Sequence, residues 1–476
     1  MTLKEIVKNL NCEISGNAEI NIKGIAYDSR KVKEGYLFIA IRGFETDGHK
    51  FIDSAIKNGA VAILGEEDIN PECTYIKTDD SRKAMALCAA EFYDHPEKKL
   101  KIIALTGTNG KTTTTYLIRQ ILMLKGLRCD LIGTNQTIIG DDVIESSRTT
   151  PESLDLFALF SKMAESGGEY VAMEVSSHSL ELDRVYGVTF ETAVLTNITQ
   201  DHLDFHKTME NYARAKAKLF AMSKSSAINL DSDYADLCLK NAAGKVLTYS
   251  IDNKSLIRAE NIRMSERGVI FDISGENETR EIRLGIPGKF SVYNALAAIC
   301  ACINLGIDIT DIEKGLVLAK SVKGRVEVVH TNTPYTVIID YAHTPDGLEN
   351  IICAVRAFAK ARIITVFGCG GNRDATKRPK MGKISEELSD IAIVTSDNPR
   401  CEEPDAIIED ILKGMNKDNH ITISNRKDAI RHAMEIAQEN DIIILAGKGH
   451  ETYQEIQNVK HDFDERVVVK EILAEM

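Results

Sequence analysis

At 476 residues and 43% hydrophobic, the chain is too long for one core and suggests about three domains at ~150 residues each. The net charge of −13 argues against nucleic acid as the main partner, because phosphate backbones want basic faces. No apolar stretch approaches the ~18 residues of a membrane span, and the start MTLKEIVKNL lacks the apolar run of a signal peptide, so a cytoplasmic chain with no membrane insertion is expected.

In chain order, the first ten residues read as a small amphipathic helix. Residues 36–41 (YLFIAI) read as a strand, 51–58 as a helix closing at Gly59, and 61–64 as a strand. Helical spacing over 83–93 ends at His95-Pro96, a boundary signal because the residue before proline avoids the helical region. Over 99–322, strands at 102–105, 128–132, 170–175, 192–196 and 226–230 alternate with helices, which implies a mostly parallel sheet. A β-rich excursion, 246–283, precedes Gly285-Ile286-Pro287-Gly288 and a helix over 292–304. Over 323–476, apolar strands at 335–340, 361–367, 391–395 and 441–446 alternate with helices. The expected fold class is α/β with three domains: a small N-terminal α/β domain (1–98), a central P-loop domain with a mostly parallel sheet (99–322), and a C-terminal Rossmann-like α/β domain (323–476). The ten cysteines include no C-x-x-C pair, so buried reduced thiols are expected rather than zinc or disulfides.

Residues 105–113 (LTGTNGKTT) follow the apolar run 101–104 and open a helix. Backbone N–H groups of such a turn and the positive end of the helix meet the phosphates of ATP. Lys111 would add a point charge, and Thr112 can ligate Mg2+. Leu105 stands where the usual first glycine of the motif would be, so the loop is a variant. Ligands of parallel sheets gather beyond the carboxyl ends of the strands, and Gly107, Glu174, Asn197 and Asp231 all fall at or just after predicted strand ends. Glu174 ends YVAMEV, and a carboxylate there suits a second Mg2+ or its waters; helix capping by Glu-Ser-Ser is the competing reading. His202 lies in the loop NITQDHLD. The helix YARAKAKLF carries Lys216 and Lys218, and spacing does not choose which of them faces the phosphates.

In the last third, 371–380 (GNRDATKRPK) concentrates Arg373, Lys377, Arg378 and Lys380. SDNPR adds Arg400, and GKGHETYQ adds Lys448, His450 and Glu451. Each segment follows a predicted strand. Together they suggest a cationic pocket with one acid, suited to a small zwitterion carrying carboxylates, which arginine holds with two parallel hydrogen bonds. Gly368-Cys369-Gly370-Gly371 resembles a dinucleotide fingerprint only loosely; a tight turn is the expected role.

YDSR at 27–30, Asp47-Gly48-His49, TGTNGKTT, Thr149-Thr150-Pro151, MEVSSH, DHLD, AKxxLF, Gly324-Arg325, DYAHTPD at 340–346, GCGGNRD, DNPR and GKGHE stand in order along the whole chain. In this the chain resembles the Mur ligases, and within them the diaminopimelate-adding members. The resemblance implies an ATP-dependent amide-bond-forming ligase of peptidoglycan precursor synthesis, acting in cell-wall biogenesis, cell shape and division. Its partners would be the small molecules ATP, UDP-N-acetylmuramoyl-L-Ala-D-Glu and meso-2,6-diaminopimelate, with Mg2+ as cofactor and a monomeric chain. The first domain would hold the UDP part, with Ser29 as a contact, the second ATP and Mg2+, and the third the amino acid. Gly107, Thr108, Asn109, Gly110, Lys111, Thr112 and Thr113, with Asn294, Arg325 and His343, would surround the nucleotide. Thr149, Thr150, Ser176 and Arg184 would touch the muramoyl-peptide. Thr112, Glu174 and His202 would serve Mg2+. Lys216 would be the lysine carried as a carbamate, and Lys111, Lys216, His202 and Glu174 the catalytic set. Arg373, Asp397, Asn398, Pro399, Arg400, Gly447 and Glu451 match the diaminopimelate contacts. The DNPR variant goes with diaminopimelate, whereas lysine-adding relatives lack that arginine. Two departures stand out: Ser291 replaces an expected Asn in G-x-F-N-x-x-N, and Leu182 replaces a Gln of some relatives. The competing readings are a lysine-adding ligase, a folylpolyglutamate-synthetase-like ligase, a P-loop kinase and a non-catalytic nucleotide switch.

Overall fold

Short runs of β-branched residues bounded by glycine or by capped helices set the architecture. The computed structural model describes every residue except 44–45, 147, 266–267, 275–278 and 330. The described residues divide into two compact units: 1–104, 127–192 and 221–224 in the first, and 105–126, 193–220 and 225–476 in the second. No helix among them is long and apolar enough to cross a membrane.

The first unit holds a five-stranded sheet in the order Cys12–Ser15, Thr74–Thr78, Ala60–Gly65, Tyr36–Ile39, Gly24–Ala26. Only the first pairing is antiparallel. Its centre is apolar: Leu37, Phe38, Ile39, Ile63 and Leu64 are fully buried. The helix Ser81–Phe92 begins where Asp80 accepts the N–H groups of Arg82 and Lys83. The same unit carries Tyr170–Glu174 parallel to Cys129–Ile132, followed by the antiparallel strands Gln136–Ile139 and Asp142–Glu145.

In the second unit Thr192–Leu195, Ser225–Asn229, Lys245–Ser250 and Ile257–Ser265 pair in parallel. Gly268–Ser274 and Thr279–Leu284 then add an antiparallel edge. The helix Lys289–Asn304 is apolar almost all round, with Val292 and the run from Ala295 to Cys302 fully buried, as a helix covered on several sides must be. A separate six-stranded sheet runs Glu327–Val329, Thr336–Asp340, Ile442–Ala446, Ile363–Phe367, Ile391–Val394, His420–Thr422, parallel except at its first pairing. Four neighbouring strands of this sheet therefore deliver DYAHTPD, GKGHE, GCGGNRD and DNPR from their carboxyl ends.

The α/β class holds, and several details differ from the sequence reading. The helix expected over 51–58 is a 3-10 turn, Gly48–Phe51, followed by Ile52–Lys57. Short edge strands such as Glu327–Val329 and His420–Thr422 add pairings that periodicity did not register. Cys353 and Cys401 are exposed rather than buried, although all ten cysteines are free as expected. Of the excursion 246–283, residues 266–267 and 275–278 lie outside the described residues. The glycine cluster is an irregular loop rather than a tight turn: a Cβ on Gly368 would lie 2.2 Å from Thr395 O, and one on Gly371 2.0 Å from Pro399 O. Its glycines let this loop lie against the DNPR loop.

Candidate active site

The strand Lys101–Thr106 runs into residues 107–110, and the helix Lys111–Leu124 follows. Gly110 caps that helix at φ +84°, and a Cβ there would sit 2.4 Å from Asn294 Oδ1. Glycine is what allows Asn294 to lie against the loop. The loop is held from behind. Thr196 Oγ1 donates to Asn109 O at 2.6 Å, Asn109 N donates to Asn197 Oδ1 at 2.9 Å, and Thr199 N donates to Thr108 Oγ1 at 2.9 Å. Asn197 thus earns its strand-end position as a loop support. Asp231 instead accepts the N–H groups of Ile251, Asp252 and Asn253 and so fixes a turn. The Asn109 amide donates to Asp346 Oδ2 at 2.6 Å, tying the loop to the helix Pro345–Arg356. Arg325 donates to Thr112 Oγ1 at 3.2 Å while stacking 4.6 Å above the Tyr341 ring, which also meets His343 and His450. Ser291 turns its hydroxyl to Pro287 O, within its own helix start.

Lys216 and Lys218 separate cleanly: Lys218 is exposed, and Lys216 is 2% exposed. The Lys216 ammonium donates to Gly107 O at 2.8 Å and lies 4.6 Å from the Tyr212 ring centre. Lys111 donates to the same carbonyl, also at 2.8 Å. Burial, and then the Lys111 charge, push the Lys216 amine well below its ordinary value. His202 adopts φ +54° and lies 3.3 Å from Asp201. Asp201, 5% exposed, also faces Lys377 at 3.8 Å and His343 at 3.9 Å. Burial raises the Asp201 carboxyl, but His202, Lys377 and His343 outweigh it and hold the group well below the usual range.

A second cluster of charged side chains lies at the carboxyl ends of the six-stranded sheet. Asn398 donates to Glu451 at 2.9 Å, and the fully buried Lys448 donates to both Asn398 and Glu451 at 3.0 Å. Burial raises Asp397, yet Lys448 and Arg426 outweigh it and keep the group an anion. Glu451 is raised by burial, with Asp397 adding to the effect. Gly447 backs onto the Asp397 carboxylate. Arg400 follows Pro399 with φ +52°; it donates Nε to Glu455 at 3.1 Å and NH1 to Gly371 O at 2.8 Å. Arg373 is exposed beside Gly370, the glycine that Arg400 also approaches. The cluster thus holds three acids, Asp397, Glu451 and Glu455, rather than one. Arg378 does not belong to it, being buried between Glu402 and Asp410. Lys377 faces Asp201, and Lys380 pairs with Gln200.

In the first unit, Thr134 donates its backbone N–H and its hydroxyl to Glu174, both at 2.9 Å. Thr134 also meets Thr149 at 3.0 Å. Thr150 Oγ1 donates to Glu174 O and accepts from Ser176 N, and Arg184 donates to Thr150 O at 3.1 Å. Glu174, Thr149, Thr150, Ser176 and Arg184 are therefore one hydrogen-bonded cluster. Ser29 is buried in a 3-10 turn of this unit, capped by Asp28, with Asn58 on its carbonyl. Ser176 is itself a helix cap, accepting from Ser179 N, as the capping alternative anticipated.

Models described as the Mur ligase middle domain, the Mur ligase glutamate ligase domain and the Mur ligase family catalytic domain match residues 105–302, 324–449 and 21–93. A UDP-N-acetylmuramoyl-L-alanyl-D-glutamate–2,6-diaminopimelate ligase of Clostridium botulinum is 51% identical, with 100% of both chains covered. The chain belongs to the Mur ligase family. A Caldanaerobacter subterraneus subsp. tengcongensis protein of the same name is 50% identical over 100% of this chain and 99% of its own. A solved structure of an enzyme with that name superposes with a TM-score of 0.70 at 32% identity, covering 100% of this chain and 99% of that one. The sequence names Lys377 and Lys448 only as charges of a cationic pocket, without their partners Asp201 and Glu451, and Asp201 itself goes unnamed although it lies in the NITQDHLD loop. The available signal was a charged residue between apolar strand ends, which marks burial but names no partner.

Proposed function

We propose that this Mur ligase adds meso-2,6-diaminopimelate to the D-Glu γ-carboxylate of UDP-N-acetylmuramoyl-L-Ala-D-Glu, with ATP converted to ADP and inorganic phosphate, in peptidoglycan precursor synthesis. The observation that carries the reading is one unit holding both a phosphate cradle and a pocket of opposed charges. Asp397 and Glu451 suit an ammonium, while Arg400 and Arg373 suit carboxylates. Diaminopimelate differs from lysine by a second carboxylate, for which Arg400 is the natural partner.

The γ-carboxylate attacks the γ-phosphorus of ATP, giving an acyl phosphate and ADP. The amine of diaminopimelate then attacks the acyl carbon, and inorganic phosphate leaves with the proton balance carried to solvent. Two anions meet in the first step, so Lys111 must neutralise charge as it moves toward the β–γ bridge. Asn109, Gly110, Thr112 and Thr113 orient the phosphates, and Asn294, Arg325 and His343 the rest of the nucleotide. Asn294 carries the adenine end in our reading, because Ser291 spends its hydroxyl on Pro287 O. Thr149, Thr150, Ser176 and Arg184 hold the muramoyl-peptide, and Ser29 its uridine end. Leu182 offers no polar atom for the contact that Gln makes in some relatives. Aligning three substrates supplies the remaining rate.

Thr112 offers a hydroxyl oxygen suited to a hard divalent cation, and Glu174 separately offers a carboxylate oxygen suited to a second such cation or its waters. The His202 imidazole fits better as a partner for the cation's water. When bound, Mg2+ supplies charge neutralisation between carboxylate and phosphates. Lys216 is a candidate carbamate. Burial and the Lys111 charge favour its neutral amine, the form that adds CO2 with one proton released. The product would place an anion beside Lys111, where the two lysine side chains otherwise share the Gly107 carbonyl. We place the domain boundaries near 98/99 and 322/323, in line with the spans of the three matching models. A monomeric cytoplasmic enzyme completes the proposal.

The test is an amino-acid panel. Phosphate release should require nucleotide-peptide and diaminopimelate together, and product mass should show one added diaminopimelate. Equal use of lysine would overturn the substrate assignment.

A further inference from the structure

Three arginines of the first unit converge on a single acid. Glu152, 7% exposed, pairs with Arg184 NH2 at 2.9 Å, with Arg82 NH1 at 3.4 Å and with Arg148 NH1. Arg184 and Arg82 are themselves only 12% and 17% exposed, while Arg148 is half exposed. One carboxylate balances one of three guanidiniums, so these four side chains carry a net double positive charge. Asp155, the nearest further acid on the same helix, is engaged by the Tyr27 hydroxyl at 2.5 Å. Among the described residues, Arg184 Nε and the Ser153 hydroxyl are buried with no hydrogen-bond partner. Glu152 is the N-cap residue of the helix Ser153–Glu165, yet its side chain does not cap the helix, being taken by guanidiniums. Burial pushes Arg184 below its ordinary value; Glu152 opposes this, and the charges of Arg148 and Arg82 add to it. Uncompensated like charges in a half-buried site are unfavourable unless an anion completes them.

We propose that Arg82 and Arg148 join Arg184 in a subsite for an oxyanion of the acceptor substrate. The inference rests on the reading that Thr149, Thr150 and Arg184 receive the nucleotide-peptide. Glu152 holds the three guanidiniums in one place, and the remaining N–H donors take the ligand. Two groups of that substrate keep their charge through the reaction: the diphosphate and the α-carboxylate of D-Glu. Both present paired oxygens to a guanidinium edge.

The experiment measures steady-state KM for all three substrates in Arg148→Ala, Arg82→Ala and Arg184→Ala, with UDP affinity measured alongside. Loss of a charge-assisted pair should raise the nucleotide-peptide KM about ten- to a hundredfold. The KM for ATP and for diaminopimelate should stay within about twofold, a split that simple loss of folding would not give. An equal rise in the Kd for UDP identifies the diphosphate as the bound group; an unchanged UDP Kd identifies the α-carboxylate. If Arg184→Ala raises the KM while Arg82→Ala and Arg148→Ala do not, the subsite is overturned. If none of the three does, the reading of where the nucleotide-peptide binds fails instead. Should Arg82→Ala not fold, half-exposed Arg148 decides the question alone.

Discussion

Replacing Arg400 with alanine should change which amino acid the enzyme accepts. Arg400 is 21% exposed, with Nε on Glu455 and one NH1 hydrogen on Gly371 O. A guanidinium has five N–H donors, so the NH2 group and the second NH1 hydrogen remain to hold a carboxylate in two parallel bonds. A charged hydrogen bond of this kind is worth roughly 1.5–3 kcal/mol, or about ten- to a hundredfold in kcat/KM. The alanine variant should reach the upper end, because Glu455 is left beside the incoming carboxylate without its partner. Arg400→Lys keeps the charge but loses the planar donor pair, and should fall between. The assay is phosphate release at saturating ATP and nucleotide-peptide, with diaminopimelate or lysine varied. Diaminopimelate should lose most of its kcat/KM, while lysine, with no second carboxylate, should change by less than about threefold. An unchanged ratio between the two amino acids would refute the role given to Arg400.

Other outcomes follow from the phosphate cradle. Lys216→Ala should abolish turnover while circular dichroism still reports a folded chain; persistent activity would remove the carbamate from the account. In CO2-free buffer Lys216 also fixes a pH dependence. Its folded value lies well below the unfolded 10.5, so between the two the unfolded chain binds the extra proton and stability rises with pH. Lys216→Met should flatten that rise in urea titrations, and an unaltered slope would contradict the burial argument. Gly110→Ala forces a side chain into the left-handed region and toward Asn294, costing about 1–2 kcal/mol. It should raise the KM for ATP more than that for diaminopimelate; equal changes would point to a general loss of fold.

The α/β class was legible because strands and helices alternate, and because each glycine-rich or charged motif follows an apolar run. Within the motifs, spacing put Lys216 and Lys218 on one helix but could not tell the buried face from the wet one; in the structure Lys216 is buried and Lys218 exposed. The pairings of buried charges were illegible. Asp201 meets Lys377 and His343, and Arg378 meets Glu402 and Asp410, across separations no local pattern records. Arg378 thereby left the pocket that composition had assigned it. Strands of three or four residues, such as Glu327–Val329 and Tyr453–Ile456, are too short for periodicity to register. The second of these matters to the site, since Arg400 N donates to Glu455 O and Gln457 N to Arg400 O, so this strand grips the DNPR loop.

Oxygen bookkeeping tests the chemistry most directly. Nucleotide-peptide labelled with 18O in the γ-carboxylate is turned over with ATP and diaminopimelate, and the released phosphate is weighed. One labelled oxygen per phosphate is expected, because the carboxylate oxygen bridges to phosphorus before the amine displaces it. Phosphate that carries no label, formed alongside a true amide product, would contradict the mixed anhydride and with it the whole mechanism.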